Sequence, residues 1–408
     1  MPGVSSTDGS APPPGTPLSE AGRTWDAVVV GAGQAGLAAS YHLLRLGVEH
    51  VVLDADAAPG GAWRHRWDSL SMADVHGVAD LPDDHAPEPD PTARANTLVP
   101  ARFADYERRH DLPVVRPVRV VRVEEEQDAE RAGLFRVTDD AGGSWWGRTL
   151  VNATGTWTRP FVPHYPGARD FRGLQVHTHD YPGAEAFRGL RTVVVGAGAS
   201  AVQLLGELAL VTDTLWVTRR PPVWRTDDFT PEAGREAVAL VEERVRAGLP
   251  PASVVSVTGL VLRPQERAAE ALGAYADPRP VFTRLEPDGV RFADGTFEPA
   301  QAVLWATGFR PAVAHLAPLH LRSAAGGIQL DRLGTTAVAD PRVQLVGYGP
   351  SASTVGASRA GRAAALGVRR ALLAGQEAGQ EPGQEPSSSP SSSRSGSPSG
   401  STSVPLRT

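Results

Sequence analysis

The chain has 408 residues, with 40 basic and 46 acidic side chains and a formal net charge of −6. This balance is too mildly acidic to mark nucleic acid or an anionic membrane as its partner. There is no cysteine and every basic residue is arginine, which excludes disulfides, thiolate nucleophiles, iron–sulfur clusters, lysine Schiff bases and P-loop lysines.

No apolar run approaches the ~18 residues of a membrane-spanning helix. Residues 1–22, rich in Pro, Gly and Ser, read as a disordered N-terminus without the layout of a secretory signal, so the cytoplasm is the expected location. Trp25 to Val30 is a short apolar strand ending in Gly31-Ala32-Gly33-Gln34-Ala35-Gly36, followed by a helix to about Leu46 with Leu37, Tyr41 and Leu44 on one face. His50 to Leu53 forms the next strand and ends at Asp54, 18 residues past the last glycine. Between a strand and a helix, the first glycine permits a tight turn and the second lets backbone approach a pyrophosphate. The third allows close helix–strand packing, and an acid at the second strand end can hold ribose hydroxyls. A lone glycine motif is otherwise only a tight turn; the strand, helix and acid around it favour a dinucleotide.

Val114 to Glu124 and Leu134 to Thr138 alternate in a way that suits an antiparallel meander. A second copy of the glycine unit then begins at Arg191, with Gly196, Gly198 and Ala201 following a strand, 165 residues after the first copy. Ser200 lies at its helix start. The next strand, Thr214 to Thr218, ends in Arg219-Arg220 instead of an acid. Arginine there pairs with a 2′-phosphate, the alternative being a solvated pair of side chains. Further on come a hairpin tip at Asp294-Gly295 and short strands at Ala302 to Ala306 and Val343 to Val346. From Gly375 a Gly/Gln/Glu/Pro/Ser tail reads as disordered to residue 408. The fold class is α/β with two Rossmann-like domains.

Several further stretches resemble the class B flavoprotein monooxygenases, which include flavin-containing, Baeyer–Villiger and N-hydroxylating enzymes. Phe171-Arg172-Gly173 through His177 to Tyr181 matches their F-x-G-x-x-x-H-x-x-x-[F/Y/W] fingerprint. Gly60-Gly61-Ala62-Trp63 is similar to their flavin-contact segment, and Asn152-Ala153-Thr154-Gly155 and Trp305-Ala306-Thr307-Gly308 to their two A-T-G linkers. The resemblance covers roughly residues 24–372. It implies an FAD domain over 23–158 and 302–374, with an NADPH domain at 159–301 inserted into it. It also implies a monooxygenase that moves one oxygen atom of O2, through a C4a-peroxyflavin, to a small nitrogen or sulfur nucleophile or a ketone. The alternative is a flavin reductase serving a non-thiol acceptor. A redox-sensing nucleotide module without turnover is a third reading, disfavoured by the full fingerprint.

Carried over by the resemblance, Gly31, Gly33, Gln34, Ala35, Gly36 and Asp54 hold FAD diphosphate and ribose. Gly61, Trp63, Trp67, Asp68 and Met72 pass beside the flavin, Val120 meets adenine, and Ala153, Thr154, Gly155, Thr307 and Gly308 form the linkers. Gly196, Gly198, Ser200, Ala201, Arg219 and Arg220 hold NADPH, and Gly347 with Thr354 marks the return to the FAD domain. Thr178 after the fingerprint histidine and Tyr181 at its end depart from the usual flavin-containing and Baeyer–Villiger residues, leaving the reaction subtype open. His177 either bonds backbone or moves a proton, and no metal site is expected.

Overall fold

The computed structural model describes residues 22–75, 78–85, 87–225, 231–251 and 259–378. The tails expected to be disordered lie outside these residues, except that Gly22 is described and Gly375 to Ala378 continue the last helix. Among the described residues the strands form three sheets, and no helix is long and apolar enough to cross a membrane.

The first sheet grows around β1 (Thr24–Val30), which pairs in parallel with β2 (His50–Leu53) on one side and β6 (Ser144–Asn152) on the other. α1 (Gln34–Arg45) crosses between β1 and β2, and α2 (Ala95–Arg109) precedes the two-residue edge strand β3 (Val114–Val115) beside β2. Alternation sorts the strand residues between two cores. Ala27, Val29, Val52 and Val151 face α1, α2 and the final helix, while Val28, Val30, Val51, Leu53 and Leu150 face the opposite side. Burying each such valine or leucine contributes about 1.5–3 kcal/mol.

One sequence expectation is corrected here. Val114 to Glu124 is two strands, because Arg116-Pro117 breaks the run: β3 joins β2 in parallel, and β4 (Val120–Glu125) pairs antiparallel with β5 (Phe135–Asp139). β5 continues antiparallel onto β6, so the meander is β4-β5-β6.

The second sheet orders β10-β9-β8-β14-β7, all parallel: β7 (Leu174–His177), β8 (Thr192–Val195), β9 (Thr214–Thr218), β10 (Arg279–Pro280) and β14 (Ala302–Trp305). α3 (Ala199–Leu208) links β8 to β9; α4 (Pro231–Arg246) and α5 (Arg267–Ala271) follow before β10. A hairpin meander, β11 (Arg284–Glu286), β12 (Gly289–Arg291) and β13 (Phe297–Pro299), covers the face opposite α3 and turns at Asp294-Gly295. Because β14 pairs between β7 and β8, the chain leaves this sheet after Trp305 and not at residue 302. β15 (Val343–Leu345) then returns to the first sheet beside β6, and α6 (Thr354–Ala378) packs across α1.

That crossing requires Gly361. A Cβ there would lie 2.6 Å from the Ala38 Cβ and 2.7 Å from the Ala38 carbonyl carbon. Gly361→Ala gains about 1 kcal/mol of helix propensity, whereas forcing apart two packed helices costs about 1–3 kcal/mol. The substitution is expected to lower the thermal midpoint; a raised midpoint would show that the helices separate freely.

Candidate functional site

The two glycine turns lie at the C-terminal ends of the parallel strands β1 and β8 and have the same construction. Gly31 has φ +102°, and a Cβ on it would fall 2.7 Å from the Ala153 carbonyl oxygen. Gly196 has φ +141°, and its Cβ would fall 2.2 Å from the Ala306 carbonyl oxygen. At the second positions, Gly33 and Gly198, an added methyl group would meet nothing within 4 Å, so the backbone is open to an approaching group. These same two residues precede α1 and α3, and neither helix receives a side-chain cap, leaving N-terminal amides without side-chain partners. The third positions differ: Cβ on Gly36 would strike the Gly31 carbonyl at 1.9 Å, whereas Ala201 accommodates its methyl fully buried. Ala35 is buried beside Gly36, and Ser200 is half-buried at the start of α3.

At the end of β2, Asp54 is buried and its Oδ2 accepts from Arg116 Nε at 2.7 Å; Arg116 in turn donates twice to Glu107 at 2.7 Å. The Val118 amide donates to the Asp54 carbonyl, while Val120 begins β4 two residues further on. At the end of β9, Arg219 and Arg220 are exposed, and neither has a carboxylate partner among the described residues. Gln34 is committed to the fold, with Nε2 donating to the carbonyls of Ala79 and Thr354.

The two linkers run side by side as a ribbon. Phe161 N–H donates to the Gly308 carbonyl, Arg310 N–H to Arg159, Ala312 N–H to Gly155 and Thr154 Oγ1 to Ala312, and Pro160 bridges antiparallel to Phe309. Thr307 Oγ1 donates to Phe161. Gly347 comes close, its Cβ position lying 3.5 Å from Gly155 Cα. Asn152 accepts from His315 Nε2 at 2.7 Å; burial pulls that histidine down to about 4, so it is neutral. His177 Nδ1 accepts from the His179 amide, so its proton sits on Nε2 and points to the Gly308 carbonyl at 3.0 Å. Burial holds its imidazole below the usual range. Both ring nitrogens are bound to backbone.

Between the sheets, the segment after Gly61 fills the seam. Gly61 approaches Gly33, its Cβ position lying 2.8 Å from Gly33 Cα, and Trp63 and Met72 pack against the cores of both units. Trp67 meets Tyr181 edge-on at 6.3 Å. Asp68 is turned outward and accepts from Asn96. Sequence reasoning missed Glu107, Arg116 and Glu207, which no local pattern marks; Ser69 lies in the Trp67–Met72 segment that the resemblance runs beside the flavin. It also missed Trp157 and Phe309, although an aromatic closely follows the glycine of each A-T-G linker.

Glu207, on α3, accepts from Ser69 Oγ at 2.9 Å and from the Tyr181 hydroxyl at 3.2 Å, tying the two units together. Burial pushes its carboxyl up, against the pull of those donors and with further help from Asp74. A raised folded-state value means that the stability contributed by its protonated form is present below the unfolded pKa of 4.5 and lost as pH rises through the folded value. Glu207→Gln, which keeps an acceptor, is therefore expected to raise the thermal midpoint near pH 8 and to change it little near pH 4. An equal shift at both would mean that charge burial is not the cause.

The pyridine nucleotide-disulphide oxidoreductase family matches residues 28–248, over half of the chain; without cysteine, the disulphide part of that description has no carrier here. A variant of a flavin monooxygenase from Stenotrophomonas maltophilia has a TM-score of 0.73 and 35% identity, covering 86% of this chain and 99% of that one. Among curated proteins, indole-3-pyruvate monooxygenase YUCCA1 of Oryza sativa subsp. japonica is 33% identical over 191 residues, 46% of each chain. A CzcO-like uncharacterized oxidoreductase of Geobacillus kaustophilus is 29% identical over 185 residues, 45% of this chain and 51% of that protein. The match spans about half the length of these two curated relatives. With paired glycine turns, paired linkers and a likeness that runs the length of a solved flavin monooxygenase, the chain belongs to the class B flavoprotein monooxygenases.

Proposed function

We propose that the chain is an FAD-containing, NADPH-dependent monooxygenase that transfers one oxygen atom of O2 to a small nitrogen or sulfur nucleophile or a ketone. The observation that carries this reading is the pair of open glycine turns under uncapped helix N-termini, one beside a carboxylate and the other beside arginines without an acid partner among the described residues. Aligned amides at a helix start favour a diphosphate, and the open positions at Gly33 and Gly198 leave room for one. Asp54 suits a ribose with free hydroxyls, and its Arg116 partner holds the carboxylate in one orientation. Arg219 and Arg220 suit a phosphorylated ribose. The nicotinamide and flavin rings, when bound, supply hydride transfer and the activation of oxygen.

The protein's part is placement and shielding. Gly61, Trp63, Trp67 and Met72 wall the seam, and the linker ribbon sets the distance between the two dinucleotide sites. His177 braces the ribbon at Gly308, and Glu207 with Ser69 and Tyr181 fastens the seam from the opposite unit. Dry walls matter because water shortens the life of an oxygen-activating flavin.

The purified protein is expected to carry FAD. After anaerobic reduction by NADPH and mixing with oxygenated buffer, it should pass through an absorbing species that is neither oxidised nor reduced flavin. Immediate reoxidation with stoichiometric peroxide, unchanged by amines, sulfides or ketones, would replace oxygenation by electron delivery to a non-thiol acceptor. Arg219→Ala with Arg220→Ala is expected to raise KM for NADPH about tenfold or more, since charge-assisted phosphate contacts contribute about 1.5–3 kcal/mol. KM for NADH should stay close to its original value; equal effects on the two cofactors would remove the 2′-phosphate assignment.

A further inference from the structure

Arg66 follows the 3-10 turn Gly61–His65 and occupies the seam among three tryptophans. Its guanidinium carbon lies 4.4 Å from the ring centre of Trp157, 5.7 Å from Trp63 and 6.0 Å from Trp67. It has no carboxylate partner and no side-chain hydrogen bond among the described residues, and its Nε is buried without an acceptor. Three other partly buried arginines are each paired twice over: Arg102 with Asp80 and Asp84, Arg116 with Asp54 and Glu107, Arg342 with Asp340 and Glu125. Burial pulls the Arg66 guanidinium down to about 10, which still leaves it cationic at neutral pH.

Two more orphaned groups belong to the same cluster: the indole N–H of Trp67 and that of Trp157 are both buried without an acceptor. All three unsatisfied groups are donors. A buried donor left unpaired costs about 1–3 kcal/mol, more when it carries charge, so the missing partner is an anion rich in acceptors. Around it are planar faces: Trp157 stacks on Phe309 at 4.9 Å and lies tilted against His179 at 4.9 Å, with His65 beyond at 6.5 Å. Such walls suit an aromatic or conjugated group more than a flexible aliphatic one.

We propose that Arg66, with the indole N–H groups of Trp157 and Trp67, binds the carboxylate of an aromatic organic acid, which makes the preferred substrate anionic. The inference rests on the monooxygenase reading and narrows its substrate class. Dinucleotide phosphates are the other source of anionic oxygen in this protein. They are provided for elsewhere, by the uncapped helix starts and Arg219-Arg220, and the experiment separates the two sources.

The holoprotein is titrated with phenylpyruvate and with phenylacetone, in which a methyl group replaces the carboxylate, following tryptophan fluorescence and flavin absorbance. Phenylpyruvate is expected to bind about tenfold or more tightly than phenylacetone, as one charge-assisted pair allows. Arg66→Gln should abolish that difference, and Arg66→Lys should restore part of it. Flavin content, KM for NADPH and phenylacetone affinity should stay unchanged. Arg66→Gln strands no partner, so folding should persist; a thermal midpoint at or above that of the unaltered chain checks this. Equal affinity for the two probes would overturn the proposal, as would an equal loss for both in Arg66→Gln. A change confined to flavin content or NADPH would assign Arg66 to the cofactor instead. If the protein carries no flavin, the monooxygenase reading fails, while the fluorescence titration still decides whether the acid site exists.

Discussion

Two backbone approaches set the dimensions of everything else. In each unit the first glycine of the turn sits against the carbonyl of the alanine that opens a linker, Gly31 on Ala153 and Gly196 on Ala306, at distances a side chain could not share. Those contacts bring the end of a parallel strand, the start of a helix and the chain's path between units to one point, twice. A methyl group at either position would push the linker away from the turn and change the spacing between the two glycine turns. The pairing of the linkers with each other then locks the two points into one frame.

Much of this frame is legible in the sequence because it is local. Strand, glycine turn, helix and strand follow one another within about thirty residues, and the face alternation of Val28, Val29 and Val30 follows from geometry alone. What escapes such reading depends on distant partners. Val114 to Val115 has the pattern of a meander strand's beginning, yet its ladder partner is β2, more than fifty residues back. Ala302 to Trp305 resembles part of the return because it adjoins the second linker, but its neighbours are β7 and β8. Arg116, Glu107 and Glu207 carry no periodic or motif signal, and their importance appears only when the chain segments holding them meet. His177 is legible as a fingerprint residue, whereas the backbone groups on both sides of its ring come from Gly308 and His179 and are seen only in the fold.

A chain whose basic residues are all arginine also shapes the electrostatics. Guanidinium groups hold carboxylates through two donors at once, as Arg116 does with Glu107 and Arg342 with Asp340. Buried acids such as Asp54 and Asp84 are therefore neutralised by rigid, planar partners instead of mobile ammonium groups. That rigidity keeps the end of β2 in place. It also makes each arginine that lacks an acid conspicuous, and those at the end of β9 and in the seam stand out for that reason.

The order in which the pieces of the first sheet occur along the chain has a consequence for biosynthesis. β15 and α6 complete that sheet and cover α1, yet they lie about 190 residues after β6, and Gln34 reaches its partner Thr354 across 320 residues. During translation at ~5–20 residues per second, the nascent first unit waits roughly 10–40 s with the α1 face uncovered. The second unit, whose strands fall between residues 174 and 305, can close in the meantime. A ribosome that stalls in this interval would hold out a half-built sheet lined with alanine, valine and leucine, the kind of surface that chaperones engage.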